Sequence, residues 1–142
     1  MYKHILVAVE HSAADHTILE HIRPLARLCG ARLLLLHVAD GWAARAYDEL
    51  TLRDSKEVQE DRAYLDGLRD ALASEGFSVE SRLAKGDPAA EIIRVTQSEP
   101  IDLVAMATHG HRFIKDLVLG ATVDKVRHTL KVPVLLLQAK QD

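Results

Sequence analysis

Two kinds of apolar pattern alternate along the chain. Short, nearly continuous runs come first: His4–Val9 (HILVAV), Arg32–Val38 (RLLLLHV), Asp102–Ala107 (DLVAMA) and Val132–Leu137 (VPVLLL). Such runs predict strands buried on both faces, as in a parallel sheet covered by helices. A fifth run, Phe77–Leu83 (FSVESRL), alternates Phe77, Val79 and Leu83 with polar residues. That alternation predicts a half-covered strand at an edge. Between the runs, apolar residues recur at helical spacing. Ile18, Ile22, Leu25, Ala26 and Cys29 form one stripe, and Val58, Leu65, Leu68 and Leu72 form a second that ends near Gly76. Ile92 and Ile93 belong to a third helix, and Val126 and Leu130 to a fourth that starts near Gly120.

Local signals punctuate these helices. Ser12 and Asp15 have the spacing of a capping box at the start of the first helix. Pro24 falls inside that helix and is expected to kink it, because proline lacks the N–H and crowds the preceding turn. Asp87 is placed as an N-cap with Pro88 at the first helical position. Strands alternating with helices give right-handed crossovers and a doubly wound α/β sheet. Pro133 argues that the last strand lies at an edge, since proline cannot donate to a central ladder. An apolar edge strand is a template for pairing, so a homodimer through Val132–Leu137 is expected.

Composition narrows the possible functions. The 142 residues suit one domain, with 48% hydrophobic and 27% charged residues. A net charge of -3 argues against a general nucleic-acid binder, which needs a basic face. No run reaches the roughly 20 apolar residues of a membrane span, and MYKHILVAVE is too short and too soon charged for a signal peptide. A cytoplasmic protein with no membrane partner is the expectation. The lone Cys29 reads as a structural thiol.

The candidate chemistry lies in Ala105–Val126 (AMATHGHRFIKDLVLGATVDKV), which follows a strand and leads into a helix. In an open α/β sheet, ligands bind beyond the carboxyl ends of the strands, where strand order reverses. There Gly110 would admit a close backbone approach. Gly120 would open a helix whose free N–H groups favour an anion. Arg112 and Lys115 lie between them, and Thr122 supplies a hydroxyl. Spacing alone leaves a phosphate cradle and plain structural glycines both open. His109 and His111 lack nearby acidic or thiol residues in sequence to complete a metal set, so no metal site is assigned. His37 reads as a satisfied core or rim histidine, and Ser12 as a helix cap. The run Ser55–Arg62 reads as a solvated helix face. The segment Asp40–Glu57, with Trp42 and Tyr47, reads as a surface connection.

Four blocks in order, ILVAVEHSAAD, LLLLHV, KGDPAAEII and ATHGH…LVLGATVDKVRHTLKVPVLLL, resemble the universal stress protein family over essentially the whole chain. The resemblance implies a nucleotide α-hydrolase-like fold: a five-stranded parallel sheet of order 3-2-1-4-5, four helices and a homodimer through the last strand. Some family members bind ATP through Gly, two residues, Gly, nine residues, Gly, then Ser or Thr. Those positions here are Ala107, Gly110, Gly120 and Ala121. Two glycines are retained, the first is alanine, and the terminal hydroxyl is lost. The resemblance also implies that Ala8, Val9 and Glu10 (aspartate in the family), with Val38, meet the adenosine end. Met106 would line the wall, His109 and Gly110 would contact ribose and phosphate, and Gly120, Ala121, Thr122 and Val123 would surround the phosphates. ATP or a related adenine nucleotide is the implied cofactor, with magnesium if a triphosphate binds. The implied output is regulatory, through unidentified protein partners. A dimeric interaction module without nucleotide is the alternative, and a true enzyme is the least favoured reading.

Overall fold

The computed structural model describes residues 1–40, 51–108 and 120–139. In chain order the elements are β1 (His4–Ala8), α1 (Ala14–Cys29), β2 (Arg32–Asp40), α2 (Thr51–Ser74), β3 (Val79–Gly86), α3 (Pro88–Ser98), β4 (Leu103–Thr108), α4 (Gly120–Thr129) and β5 (Val134–Gln138). The strands form one parallel sheet of order β3-β2-β1-β4-β5. The expected α/β class, order and edge strands are all present.

The continuous apolar runs are explained by two cores. Ile5, Val7, Leu33, Leu35, Leu103 and Ala105 face α1 and α2, where they meet Ile18, Ile22, Leu65 and Leu72. Leu6, Leu34, Leu36, Val104 and Met106 face α3 and α4, where they meet Ile92, Val95, Val123 and Val126. Successive strand residues point to opposite faces, so a strand covered by helices on both sides is apolar at every position. Each fully buried aliphatic side chain contributes roughly 1.5–3 kcal/mol.

Several local expectations are corrected. Pro24 lies inside α1, as its place in the apolar stripe implied, and the helix ends in a left-handed Gly30 at φ 67°. The N–H of Gly30 donates to the Arg27 carbonyl and that of Ala31 to the Ala26 carbonyl, closing the last turn. The same motif ends α2 at Gly76, φ 99°, with the N–H of Phe77 donating to the Leu72 carbonyl. Phe77 is therefore part of the helix stop rather than of β3, which begins at Val79 and continues to Gly86. Pro133 stands one residue ahead of β5, and its carbonyl accepts from the Val104 N–H at 3.1 Å. The strand does lie at the edge, but Pro133 precedes its ladder instead of interrupting it. Cys29 is half-buried. Asp87 caps α3 as expected, accepting from the Ala90 N–H at 2.8 Å, with Pro88 next.

A polar cluster secures the amino ends of the strands. Asp102 accepts from the N–H groups of Lys3 and His4 at 2.8 and 3.1 Å, which sets where β1 begins against β4. Buried His4 accepts from the Arg32 guanidinium at Nδ1, 3.3 Å away. Burial, and then Arg32, hold its pKa below the ordinary value. Arg82 of β3 pairs with Glu99 just beyond α3 and with Glu80. Hydrogen bonds from Arg82 hold the Glu99 carboxyl below its ordinary range. Among the described residues no helix is long and apolar enough to cross a membrane.

Candidate functional site

Strand order reverses at β1, which has β2 on one side and β4 on the other. The crevice beyond the carboxyl ends of β1 and β4 is therefore the favoured ligand position. β1 and β4 are in register there, with Val7 opposite Ala105, and α4 opens at Gly120 after β4. The sequence-expected residues divide between the two faces of the sheet. Ala8, Val38, Met106 and Val123 all pack in the core beneath α3 and α4. Val9 and Ala107 turn the other way, into the core beneath α1 and α2. Glu10 and Ala121 are exposed and Thr122 is half-buried. His109, Gly110 and Arg112 lie outside the described residues, as do His111, Lys115, Trp42 and Tyr47.

The bend after β1 is organised by a carboxylate that sequence spacing assigned only to a helix cap. Asp15, 2% exposed, accepts at Oδ1 from the Glu10 N–H (2.8 Å) and at Oδ2 from the N–H groups of His11 (2.9 Å) and Ser12 (3.2 Å). The Tyr64 hydroxyl, from α2, also donates to Oδ2 at 2.6 Å. A carboxylate offers about four lone-pair sites, so these donors saturate it. Burial, followed by the bond to Asp15, raises the Tyr64 pKa well above its ordinary value. The bend holds His11 in the left-handed region, at φ 64°. An L-residue there costs roughly 1–2 kcal/mol, offset by the converging charge-assisted bonds.

The capping box is therefore only half made. Asp15 reaches back to the Ser12 N–H, but α1 begins at Ala14, with Ala13 as an N-cap that makes no side-chain cap bond. The Ser12 hydroxyl instead accepts from the Ala14 N–H at 3.2 Å and donates to Glu10 Oε2 at 3.1 Å.

A second carboxylate ties this bend to β2. Asp61 Oδ1 accepts from His11 Nδ1 at 2.7 Å, and its Oδ2 lies 3.5 Å from His37 Nε2. His37 Nδ1 donates to the Val9 carbonyl at 2.8 Å, so His37 is the satisfied rim histidine that its strand position suggested. The His11 ring stacks on Tyr64 with centroids 3.9 Å apart. Asp61 thus departs from the solvated face expected of Ser55–Arg62, although Lys56, Glu57, Gln59, Glu60 and Arg62 are exposed. Sequence reasoning missed Asp61 and Tyr64, and it missed the reach of Asp15. Asp61 and Tyr64 act through partners distant in the chain and carry no local motif, and the capping-box spacing of Asp15 gives no sign of its bond to Tyr64.

Half-buried Ala8 and Val38 share one apolar cluster with buried Met106 and Val123, on the face of the sheet beneath α3 and α4. Exposed Glu10 follows β1, and the helix whose first turn holds Gly120, Ala121 and Thr122 follows β4. Helix N–H groups are the kind of group that engages an anion, and apolar side chains with a few polar groups are the usual lining of a small-molecule site.

Known proteins share this frame. The chain is 25% identical to universal stress protein MJ0577 of Methanocaldococcus jannaschii, over 99% of this chain and 97% of that protein. The solved structure of MJ0577 matches with a TM-score of 0.86 over 100% of this chain and 99% of the other, at 26% identity. A universal stress protein solved in complex with cAMP matches at TM-score 0.72 and 18% identity, covering 98% of each chain. Another, from Archaeoglobus fulgidus in complex with dAMP, matches at 0.68 and 22%, covering 95% and 97%. The model of the universal stress protein family matches residues 1–138, and the chain belongs to that family.

Proposed function

We propose that this protein binds an adenine nucleotide, ATP or a close relative, in the crevice beyond β1 and β4, and that its output is regulatory. The observation that carries this reading is the reversal of strand order at β1, which places the carboxyl ends of β1 and β4 side by side, with a helix opening at Gly120 after β4. Related proteins of the same fold hold cAMP and dAMP, which supports the adenine-nucleotide class. Glu10 and the backbone of Val9 and Val38 would hold the nucleoside. Gly120, Ala121 and Thr122, with His109, Gly110 and Arg112 from the preceding stretch of sequence, would hold the phosphates, and magnesium would accompany a triphosphate. Ala121 brings no hydroxyl. Losing one such hydrogen bond costs about 0.5–1.5 kcal/mol, which weakens binding without abolishing it.

Binding with slow or no turnover is part of this reading, because the polar side chains of the β1 bend are already engaged among the described residues. Asp15 is saturated, Asp61 is engaged by two imidazoles, and the Ser12 hydroxyl is shared between Ala14 and Glu10. A homodimer through β5 is part of the same reading, because the half-buried Val134, Leu135, Leu136 and Leu137 lie on an unpaired edge. Gentle purification, denaturation and mass spectrometry of the released small molecules test the nucleotide. A stoichiometric adenine nucleotide supports it. Finding none, together with no uptake of added nucleotide, favours the alternative of an interaction module that recognises protein partners alone.

A further inference from the structure

The N–H groups of Glu10, His11 and Ser12 are successive in the chain and converge on one point. Three such donors form a nest, the backbone concavity that binds anions. In this protein the nest is filled by the chain's own carboxylate, Asp15, which Tyr64 holds from the far side at 2.6 Å. We propose that Asp15, anchored by Tyr64, closes this nest to phosphate and sets the Glu10 carboxylate for a sugar's hydroxyls, making Asp15 and Tyr64 positioning residues that orient the bound nucleotide. The inference deepens the nucleotide reading and rests on it.

With Asp15 in place, the N–H groups of Glu10, His11 and Ser12 are all engaged and the nest is closed to a ligand anion. It presents the carboxylate of Glu10, joined to Ser12 Oγ at 3.1 Å. An ionised carboxylate only accepts hydrogen bonds. A ribose supplies hydroxyl donors to it, whereas an ionised phosphate supplies none and is repelled by two neighbouring negative charges. The nucleoside therefore lies at the β1 end, and the phosphates point across the crevice to the start of α4. Glu10 can serve only if its backbone is fixed, and its N–H is held by Asp15 Oδ1 at 2.8 Å. Tyr64 reaches this carboxylate from α2, 49 residues along the chain, so α2 sets the position of a ligand contact on the β1 bend.

A double-mutant cycle tests this by ATP titration calorimetry on the full chain, comparing Tyr64→Phe, Glu10→Ala and the pair. Tyr64→Phe keeps the ring stacked on His11 and removes only the donor to Asp15. It is expected to weaken ATP binding by about three- to tenfold, and to have no further effect once Glu10 is alanine. Asp15→Asn should follow the same pattern with a larger loss. If Asp15→Asn fails to fold, Tyr64→Phe still decides the matter. An equal loss in both backgrounds means a merely structural role and overturns the proposal, as does undiminished affinity in Tyr64→Phe. A wild-type protein that binds no nucleotide defeats the functional reading itself. Additive losses in a protein that does bind defeat only the positioning role.

Discussion

His37 Nδ1 donates to the carbonyl of Val9 at 2.8 Å, while the Val9 N–H donates to the Leu36 carbonyl at the same distance. The residue where β1 turns away is thus gripped at both backbone groups by β2. Val9 is 4% exposed, so its carbonyl has no easy recourse to water. His37→Phe should destabilise the fold by about 1–3 kcal/mol, the penalty of an unsatisfied buried acceptor. His37→Gln, which can still donate, should recover part of that loss. Urea denaturation of the two variants measures the difference, and equal stabilities would show that the bond contributes nothing.

Asp15→Asn tests the buried carboxylate from the side of stability. The amide keeps one acceptor oxygen and turns an NH2 toward N–H and O–H donors. Loss of charge-assisted bonds together with this donor clash should cost about 2–4 kcal/mol. Equilibrium unfolding of wild type and variant measures it, and a change below about 0.5 kcal/mol, the range of ordinary surface substitutions, would contradict the described role.

Two groups at the amino ends of the strands give stability distinct acid dependences. His4 has its folded pKa lowered from 6.5 by burial and then by Arg32. As pH falls, the unfolded chain takes up this proton first, so stability is full above about 6.5 and declines below it until the folded group also titrates. His4→Gln should flatten that part of the profile. Glu99 has its folded pKa lowered from 4.5, chiefly by Arg82. Its contribution is present above 4.5 and disappears as pH falls through the lowered value, so Glu99→Gln should flatten only the more acidic limb. Denaturation midpoints measured across pH separate the two.

The register of β5 identifies which of its backbone groups are free. The carbonyl of Pro133 and the N–H of Ala139 both bond to β4, and backbone groups alternate in direction along a strand. Val134, Leu136 and Gln138 therefore present theirs to the open edge. Leu136→Pro removes one outward N–H without removing a bond to β4. If the protein dimerises by pairing these edges, that variant should sediment as a folded monomer. A dimer that persists in it would place the contact elsewhere.

Much of the fold was legible because the inner strands β1, β2 and β4 are buried on both faces, which leaves uninterrupted runs such as Leu33–Leu36 that no amphipathic pattern imitates. The stop of α1 at Gly30 and the start of α3 at Asp87 and Pro88 are local events with local signals. The extent of β3 was less legible, since Phe77 is apolar for the sake of a helix stop rather than a strand. Val38 and Met106 lie toward the carboxyl ends of β2 and β4, and their apolar character follows from the core beneath α3 and α4. Asp15 looked like an ordinary third residue of a helix. Its partner Tyr64 stands in a helix of mixed polarity, and Asp61 in a run of charges. Their roles arise only when α2 is laid across the bend after β1, and that juxtaposition is tertiary.

The most direct test of the account is calorimetric titration of the purified protein with ATP and magnesium, alongside Gly120→Val. A valine at the first position of α4 would add bulk where the proposed phosphates approach the helix N–H groups, on an element that contributes nothing to the bonds around Asp15. The account predicts saturable micromolar binding, about one nucleotide per chain, in the wild type and its loss in Gly120→Val with the assembly state unchanged. No heat from the wild type up to millimolar ATP, or full affinity in Gly120→Val, would contradict it.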